Sequence, residues 1–233
     1  MIKGQILNWC PIVQVAGVST VEEALFCHEC GVNSVGFTLE LPHGLHDDLN
    51  VEKTKCIIRD LPSDLLPVII TYLNRADAAI ELLCKTGGRA IQFHGEISDH
   101  EIQRFREHLP HVMSIGRITV NGDSSLQHVP RFQSPLWDAI ILDSLDPVTG
   151  RIGATGKTHD WRLSAEIVRI ASVPVILAGG LSPENVREAV LTVRPHGVDV
   201  HTGVENPDGS RNFDKIRRFA SQALTAFRDI SVC

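Results

Sequence analysis

Long apolar runs are missing from this chain of 233 residues, and none reaches the roughly 18 residues that a membrane span needs. Basic charge is also in short supply. Lys and Arg number 22 against 28 Asp and Glu, a formal charge of −6, so there is no basic stripe for nucleic acid or an anionic membrane. The six cysteines, Cys10, Cys27, Cys30, Cys56, Cys84 and Cys233, are too scattered for a disulfide scaffold, and reduced thiols are expected. Cys27-His28-Glu29-Cys30 has the spacing of a zinc or redox motif. No second Cys/His pair stands at ligand spacing, and the segment falls in a helical pattern, so buried helix cysteines and no metal are expected. At 43% hydrophobic and 21% charged residues, the composition excludes disorder of the whole chain and allows a sizeable core. Met1-Ile2-Lys3-Gly4-Gln5 lacks the basic-then-apolar signature of a secretory leader, and a cytoplasmic protein is expected.

What the chain does have is alternation. Short β-branched runs at Ile12–Gly17, Ser34–Glu40, Leu66–Tyr72, Arg89–Phe93, His111–Arg117, Asp138–Asp143, Pro174–Ala178 and Gly197–Thr202 read as strands, with helical patterns between most of them. Ser19-Thr20-Val21-Glu22 and Ser98-Asp99-His100-Glu101 read as capping boxes. Gly31 and Gly87-Gly88 read as helix stops. Ser182-Pro183-Glu184 places an N-cap and a first-turn proline. The segment Asn212–Phe227 is a last helix, with Phe213, Ile216, Phe219 and Ala220 on one face. With no break in composition, the expectation is an α/β protein with one domain over residues 1–233. The first strand–turn–helix, Ala16-Gly17-Val18-Ser19-Thr20, has one glycine where a dinucleotide-binding sheet needs several. Eight strands favour a closed (β/α)8 TIM barrel over an open doubly wound sheet.

In such a barrel, chemistry sits where the strands end at their C-terminal face. Two of these places need more than packing to explain them. Ala178-Gly179-Gly180-Leu181-Ser182 runs from an apolar strand through two glycines toward a helix start, and Val200-His201-Thr202-Gly203-Val204-Glu205 follows the eighth strand. Glycines let backbone N–H groups approach an anion, and loops after strands seven and eight commonly hold phosphate. Gly179, Gly180, Thr202 and Gly203 are therefore the candidate phosphate cradle. Each segment read alone is equally a tight turn.

The chain resembles the phosphoribosylanthranilate isomerase family, a tryptophan-pathway (β/α)8 barrel. The resemblance is carried by Gln92-Phe93-His94-Gly95, Leu142-Asp143-Ser144, Gly153-Ala154-Thr155-Gly156-Lys157-Thr158-His159-Asp160-Trp161, Leu177-Ala178-Gly179-Gly180-Leu181-Ser182-Pro183-Glu184-Asn185-Val186 and Val198-Asp199-Val200-His201-Thr202-Gly203-Val204-Glu205. Val15-Ala16-Gly17 and Ser34-Val35-Gly36-Phe37 extend it to the first strands.

The resemblance implies an Amadori rearrangement of an aminoaldose phosphate to an aminoketose, with no cofactor. An acid opens the sugar ring and a base removes the C2 proton. The family's acid falls on Asp143. Its base is a cysteine in a Lys-Ile-Cys-Gly motif that reads Gln14-Val15-Ala16-Gly17 here, and the arginine of its second βα loop is absent from Glu40-Leu41-Pro42-His43-Gly44-Leu45-His46. Glu40 and His201 are the candidate replacements for the base, with His43 and His46 beside them. Gln14, His43, His94, Arg117 and Gly156 are the candidate substrate contacts. Asp160 reads as an N-cap and Trp161 as packing.

The function expected is an isomerase-type enzyme acting on a phosphorylated sugar or sugar-like substrate other than the standard one. The alternatives are a non-catalytic phosphosugar-binding or regulatory homologue, and a surviving phosphoribosylanthranilate isomerase with a substitute base. The expected partner is a small phosphorylated metabolite, with neither nucleic acid nor membrane, in a monomer or homodimer.

Overall fold

A computed structural model describes residues 11–40, 49–133, 136–144 and 158–231. Eight parallel strands close on one another in sequence order. They are β1 (Ile12–Ala16), β2 (Ser34–Leu39), β3 (Leu66–Thr71), β4 (Ala90–Phe93), β5 (Met113–Val120), β6 (Ala139–Ser144), β7 (Val175–Leu177) and β8 (Gly197–Val200). Among the described residues seven α-helices surround them: α1 (Val21–Glu29), α2 (Val51–Arg59), α3 (Ala76–Thr86), α4 (Asp99–His108), α5 (Trp161–Ile170), α6 (Val186–Val193) and α7 (Phe213–Ser231). Between β5 and β6 the chain winds through 3-10 turns over Asp123–Gln133 instead of an α-helix. Pro130 within this stretch lacks the N–H an α-helix would use.

Capping follows the sequence with shifts of register. Thr20, not Ser19, caps α1 by accepting from Glu23 N–H, while the Glu23 carboxylate accepts from Ser19 N–H at 2.7 Å. Ser98 caps α4, but the Glu101 carboxylate serves a neighbour, accepting from Ala76 N–H at 2.6 Å. That bond covers the start of α3, whose own cap residue Arg75 makes no side-chain bond. Gly87 ends α3 in the left-handed region at φ +80°. Ser182 does not open α6, which starts at Val186 after a turn pinned by Asn185 Oδ1 on Ser182 N–H. Along α7, Ile216, Phe219 and Ala220 are buried, and Phe213 stacks on Phe26 at 4.4 Å.

Alternation along each strand separates two cores. Val13, Val15, Val35, Phe37, Ile69 and Ile91 face the helices. Ile12, Ala16, Val68, Ile70, Ile115, Ile141, Ile176 and Ala178 fill the barrel. Following the strand register around the barrel stacks the inward residues in layers of four from alternate strands. Upward from the N-terminal end these are Ser34, Ala90, Ala139 and Gly197; then Gln14, Val68, Ile115 and Ile176; then Gly36, Gln92, Ile141 and Asp199. Above them lie Ala16, Ile70, Arg117 and Ala178, and at the mouth Thr38, His94, Asp143 and His201. Ionisable groups in these layers thus occupy the C-terminal half alone, over a base whose polar side chains, Ser34 and Gln14, are uncharged.

Candidate active site

Asp143 and Asp199 are the buried acidic side chains among the described residues, at 4% and 8% exposure. Asp143 Oδ1 accepts from the Ser144 N–H at 2.8 Å. Burial pushes its pKa up to about 6, against the opposing pull of that hydrogen bond and of the Arg117 guanidinium. Burial likewise pushes Asp199 up to about 7; a bond from Gln14 and the Arg211 charge oppose the rise, while Asp143 adds to it. Two carboxylates that sense each other in a low-dielectric barrel cannot both ionise at neutral pH without cost, so the pair titrates jointly.

A chain of hydrogen bonds fixes the groups below the mouth. Ser34 Oγ donates to Gln14 Oε1 at 2.9 Å, and Gln14 Nε2 donates to Gln92 Oε1 at 3.2 Å and Asp199 Oδ1 at 3.0 Å. With its oxygen occupied, Gln92 turns Nε2 to His94 Nε2 at 2.5 Å. That ring nitrogen must then accept, which leaves His94 neutral. Burial and the Arg117 charge hold its pKa down to about 3, which agrees. His201 is also held down to about 3, by burial and the Arg211 charge.

Two polar atoms at this end are buried without a hydrogen bond among the described residues: Arg117 Nη1 and His201 Nδ1, the latter 3.7 Å from Glu205 Oε1. Orphaned donors are uncommon in folded proteins and mark places where something else completes the bonding. Beside them, Thr158, Gly180, Leu181, Ser182, Asn185, Thr202 and Gly203 line an open pocket of about 680 Å³. Gly179 and Gly180 both have positive φ, +78° and +65°. A Cβ on Gly203 would lie 1.9 Å from the Leu181 carbonyl oxygen. The loops after β7 and β8 therefore touch backbone to backbone. The N–H groups of Gly180 and Gly203 donate to no acceptor among the described residues, which leaves them free for an anion.

Arg211 stitches the barrel closed between β8 and β1. Its guanidinium donates to the Gly17 carbonyl at 2.9 and 3.0 Å, the His201 carbonyl at 2.9 Å and Glu205 Oε1 at 3.2 Å. At the end of β6, Ser144 Oγ meets His159 Nδ1 at 2.9 Å, and His159 Nε2 meets Ser164 Oγ at 2.7 Å. That bridge ties the strand end to α5.

The structure brings together Asp143, His94, Arg117, His201 and the four cradle residues. Arg117 is not at a strand end, because β5 continues to Val120; it faces inward one layer beneath Asp143. Gln14 is fully buried two layers below that, with its amide fully engaged, and it holds Asp199 instead of facing the pocket. Glu40 is not brought to the group. It leaves β2 at φ +56°, which breaks the inward phase of Ser34, Gly36 and Thr38. Its side chain is exposed and its charge is felt by Lys85 on α3, outside the barrel. His43, His46 and Gly156 lie outside the described residues, as do Cys10 and Cys233. Cys27 is buried on α1, and burial pushes its thiol up to about 12, while Cys30 is half-buried. No cluster of three or more His, Cys, Asp or Glu among the described residues is placed to hold a metal. No described helix is long and apolar enough to cross a membrane.

Sequence reasoning did not single out Asp199, Gln92, Arg211 or the Ser144–His159 bridge. The signal for Asp199 was its own alternation: one acid in Gly197-Val198-Asp199-Val200, in phase with the inward glycine.

A closed eight-stranded barrel with an acid at a strand end and close-approach glycines after β7 and β8 is the architecture of a (β/α)8 barrel enzyme. A family model for N-(5'phosphoribosyl)anthranilate (PRA) isomerase matches residues 47–222, and the chain belongs to that family. It is 34% identical over 215 residues to N-(5'-phosphoribosyl)anthranilate isomerase 2 of Methanosarcina mazei, covering 92% of this chain and 95% of the relative. It is 33% identical to the isomerase of Haloferax volcanii, covering 92% and 93%. Among solved structures, phosphoribosyl anthranilate isomerase of Thermotoga maritima superposes with a TM-score of 0.79 at 28% identity, covering 91% of this chain and 98% of that one. A phosphoribosyl anthranilate isomerase in complex with reduced 1-(o-carboxyphenylamino)-1-deoxyribulose 5-phosphate gives 0.77 at 25% identity, with the same coverage. The chain is an enzyme of an isomerase family.

Proposed function

We propose that this protein isomerises a phosphorylated N-substituted aminoaldose to the aminoketose, with Asp143 as the general acid. The observation that carries this is Asp143 itself, a carboxyl emerging from the wholly apolar run Ala139-Ile140-Ile141-Leu142 into the barrel mouth. Its pKa near 6 keeps a proton available close to neutral pH. The phosphate lies on the N–H groups of Gly180 and Gly203, and Arg117 Nη1 faces the substrate across the mouth from that cradle. Asp143 protonates the ring oxygen, the C1–O bond breaks, and nitrogen supplies the electrons to form an iminium. Loss of the C2 proton then gives the enaminol, whose O–H proton returns to Asp143 as C1 is protonated.

The relatives' substrate, N-(5'-phosphoribosyl)anthranilate, is the first compound to offer. Ala16 at the cysteine position and the missing loop arginine favour slower turnover than an ordinary enzyme's kcat of about 1–10³ s⁻¹, and favour a substrate with a different N-substituent. The test is to follow conversion of this compound by wild type and Asp143→Asn. Turnover in the first that falls ~10²-fold or more in the second supports the reading. No conversion by wild type, or equal conversion by both, overturns it.

A further inference from the structure

The position that carries the family's base is a methyl here, and a methyl cannot accept a proton. Ala16 is inward-facing on β1, one layer above Asp199 on β8, and the two strands are paired through Gln14↔Asp199 and Val15↔Val200. On the other side of β8, β7 contributes Ala178 to the same layer as Ala16. The groups flanking Asp199 on the side of the mouth are therefore two methyls, while its own layer contains Gly36, which has no side chain. The layer above also holds Ile70 and Arg117, with Ile70 Cδ1 2.6 Å from where a Cβ on Gly36 would sit, and His201 follows on the same strand; Asp199 keeps 8% exposure among them.

Resting on the isomerase reading above, we infer that Asp199 is the base that removes the C2 proton, replacing the group lost at Ala16. Its orientation is set by Gln14, whose Nε2 holds Oδ1 at 3.0 Å and whose own oxygen is pinned by Ser34. That leaves Oδ2 for the substrate. The groups facing it are Gln14 from β1, Asp143 from β6, Gln92 with neutral His94 from β4, apolar Ile176 and Ala178 from β7, neutral His201 from its own strand, and the Arg211 guanidinium. In the step, Asp199 carboxylate takes the proton from C2. The C2–H electrons form C1=C2, and the iminium π pair returns to nitrogen. Asp199 then gives the proton to C1 as the enol O–H proton goes to Asp143, and both carboxyls regain their starting states. The pair carries one proton between its two titrations; the higher value of Asp199 places it mainly there, and turnover uses the minor form in which that proton sits on Asp143. Burial places both titrations near neutrality, at about 6 and 7, so kcat/KM is expected to peak in that region and fall on either side.

Four proteins test this with N-(5'-phosphoribosyl)anthranilate: wild type, Asp199→Asn, Ala16→Cys, and the double variant Ala16→Cys/Asp199→Asn. Asp199→Asn keeps size and the Gln14 contact, and kcat is expected to fall ~10²-fold or more. The double variant is expected to regain at least a tenth of the lost rate, with its optimum moved to higher pH because a thiol ionises near 8.5. Asp199→Asn within threefold of wild type overturns the assignment and leaves the isomerase reading standing. A loss that Ala16→Cys does not relieve also overturns it, since the residue then only supports the barrel. If Asp199→Asn does not fold, the pH profiles of wild type and Ala16→Cys decide: identical profiles overturn the inference. An inactive wild type overturns both readings together.

Discussion

The rim of the barrel from β6 to β8 and the rim from β1 to β2 are built from opposite materials. On the first, an apolar strand delivers Asp143 to the mouth, Gly179 and Gly180 turn with positive φ, and Gly203 packs against the Leu181 carbonyl. On the second, the inward positions nearest the mouth are Ala16, Gly36 and Thr38, none of them ionisable, and the first carboxylate past the strand, Glu40, is exposed. One rim can give a proton and hold an anion. The other offers no ionisable side chain facing inward. The difference teaches that a reaction needing an acid and a base across the sugar must draw its second group from deeper in the barrel or from the neighbouring strand, and Asp199 meets both conditions.

The contrast breaks most sharply at Asp143. Asp143→Asn is expected to bind substrate with little change and to lose ~10²-fold or more in kcat. Intact turnover in steady-state assays would reduce that residue to scaffolding. Next comes the cradle. Gly203→Ala puts a methyl where Leu181 O already lies at 1.9 Å, so the two loops must separate. Affinity for a sugar phosphate, read by calorimetry, is expected to fall on the order of tenfold, ~1.4 kcal/mol, while circular dichroism shows the barrel retained.

The seam between the two rims is Arg211. Replacing it with Ala removes donors to Gly17 O and His201 O, and the expected cost is roughly 1.5–3 kcal/mol of stability, read by urea unfolding. The rims also differ in how pH acts on them. Asp143 and Asp199 have folded pKa values raised above the unfolded range. The native state therefore binds more protons than the unfolded one between about pH 4 and pH 7. The penalty for ionising the pair is absent below that window and complete above it. Thermal unfolding of wild type should lose stability as pH rises through the window, and Asp143→Asn/Asp199→Asn should flatten the curve. At the small end, Glu40→Gln on the open rim should leave kcat/KM within about threefold. A larger loss would show that the β2 rim joins the chemistry after all.

Much of the frame is legible in the sequence. The β-branched runs identified all eight strands, and Gly87 ended its helix in the left-handed turn that glycine favours. The places of Asp143 and of Gly179-Gly180 were legible too, because the first ends an apolar run and the others follow one. Three readings failed in instructive ways. The capping box beginning at Ser19 is shifted one residue: Thr20 accepts from Glu23 N–H, and the Glu23 carboxylate accepts from Ser19 N–H. Glu101 matched a local pattern, but the open N–H of Ala76 on the adjacent helix takes its carboxylate. Glu40 continued an alternation that the backbone ends at φ +56°.

Sequence by itself determined which segments become strands and helices, because side-chain periodicity and cap chemistry act over a few residues. It also determined that an acid stands near the end of the sixth strand and that glycines follow the seventh. Only the tertiary structure decided that Gln14 holds Asp199 across 185 residues of chain and that Arg211 reaches back 194 residues to Gly17. Closing the barrel pairs β8 with β1, and that register sets Asp199 beneath Ala16. Burial then raises the carboxyl's pKa, an effect of the surrounding barrel that no neighbour along the chain supplies.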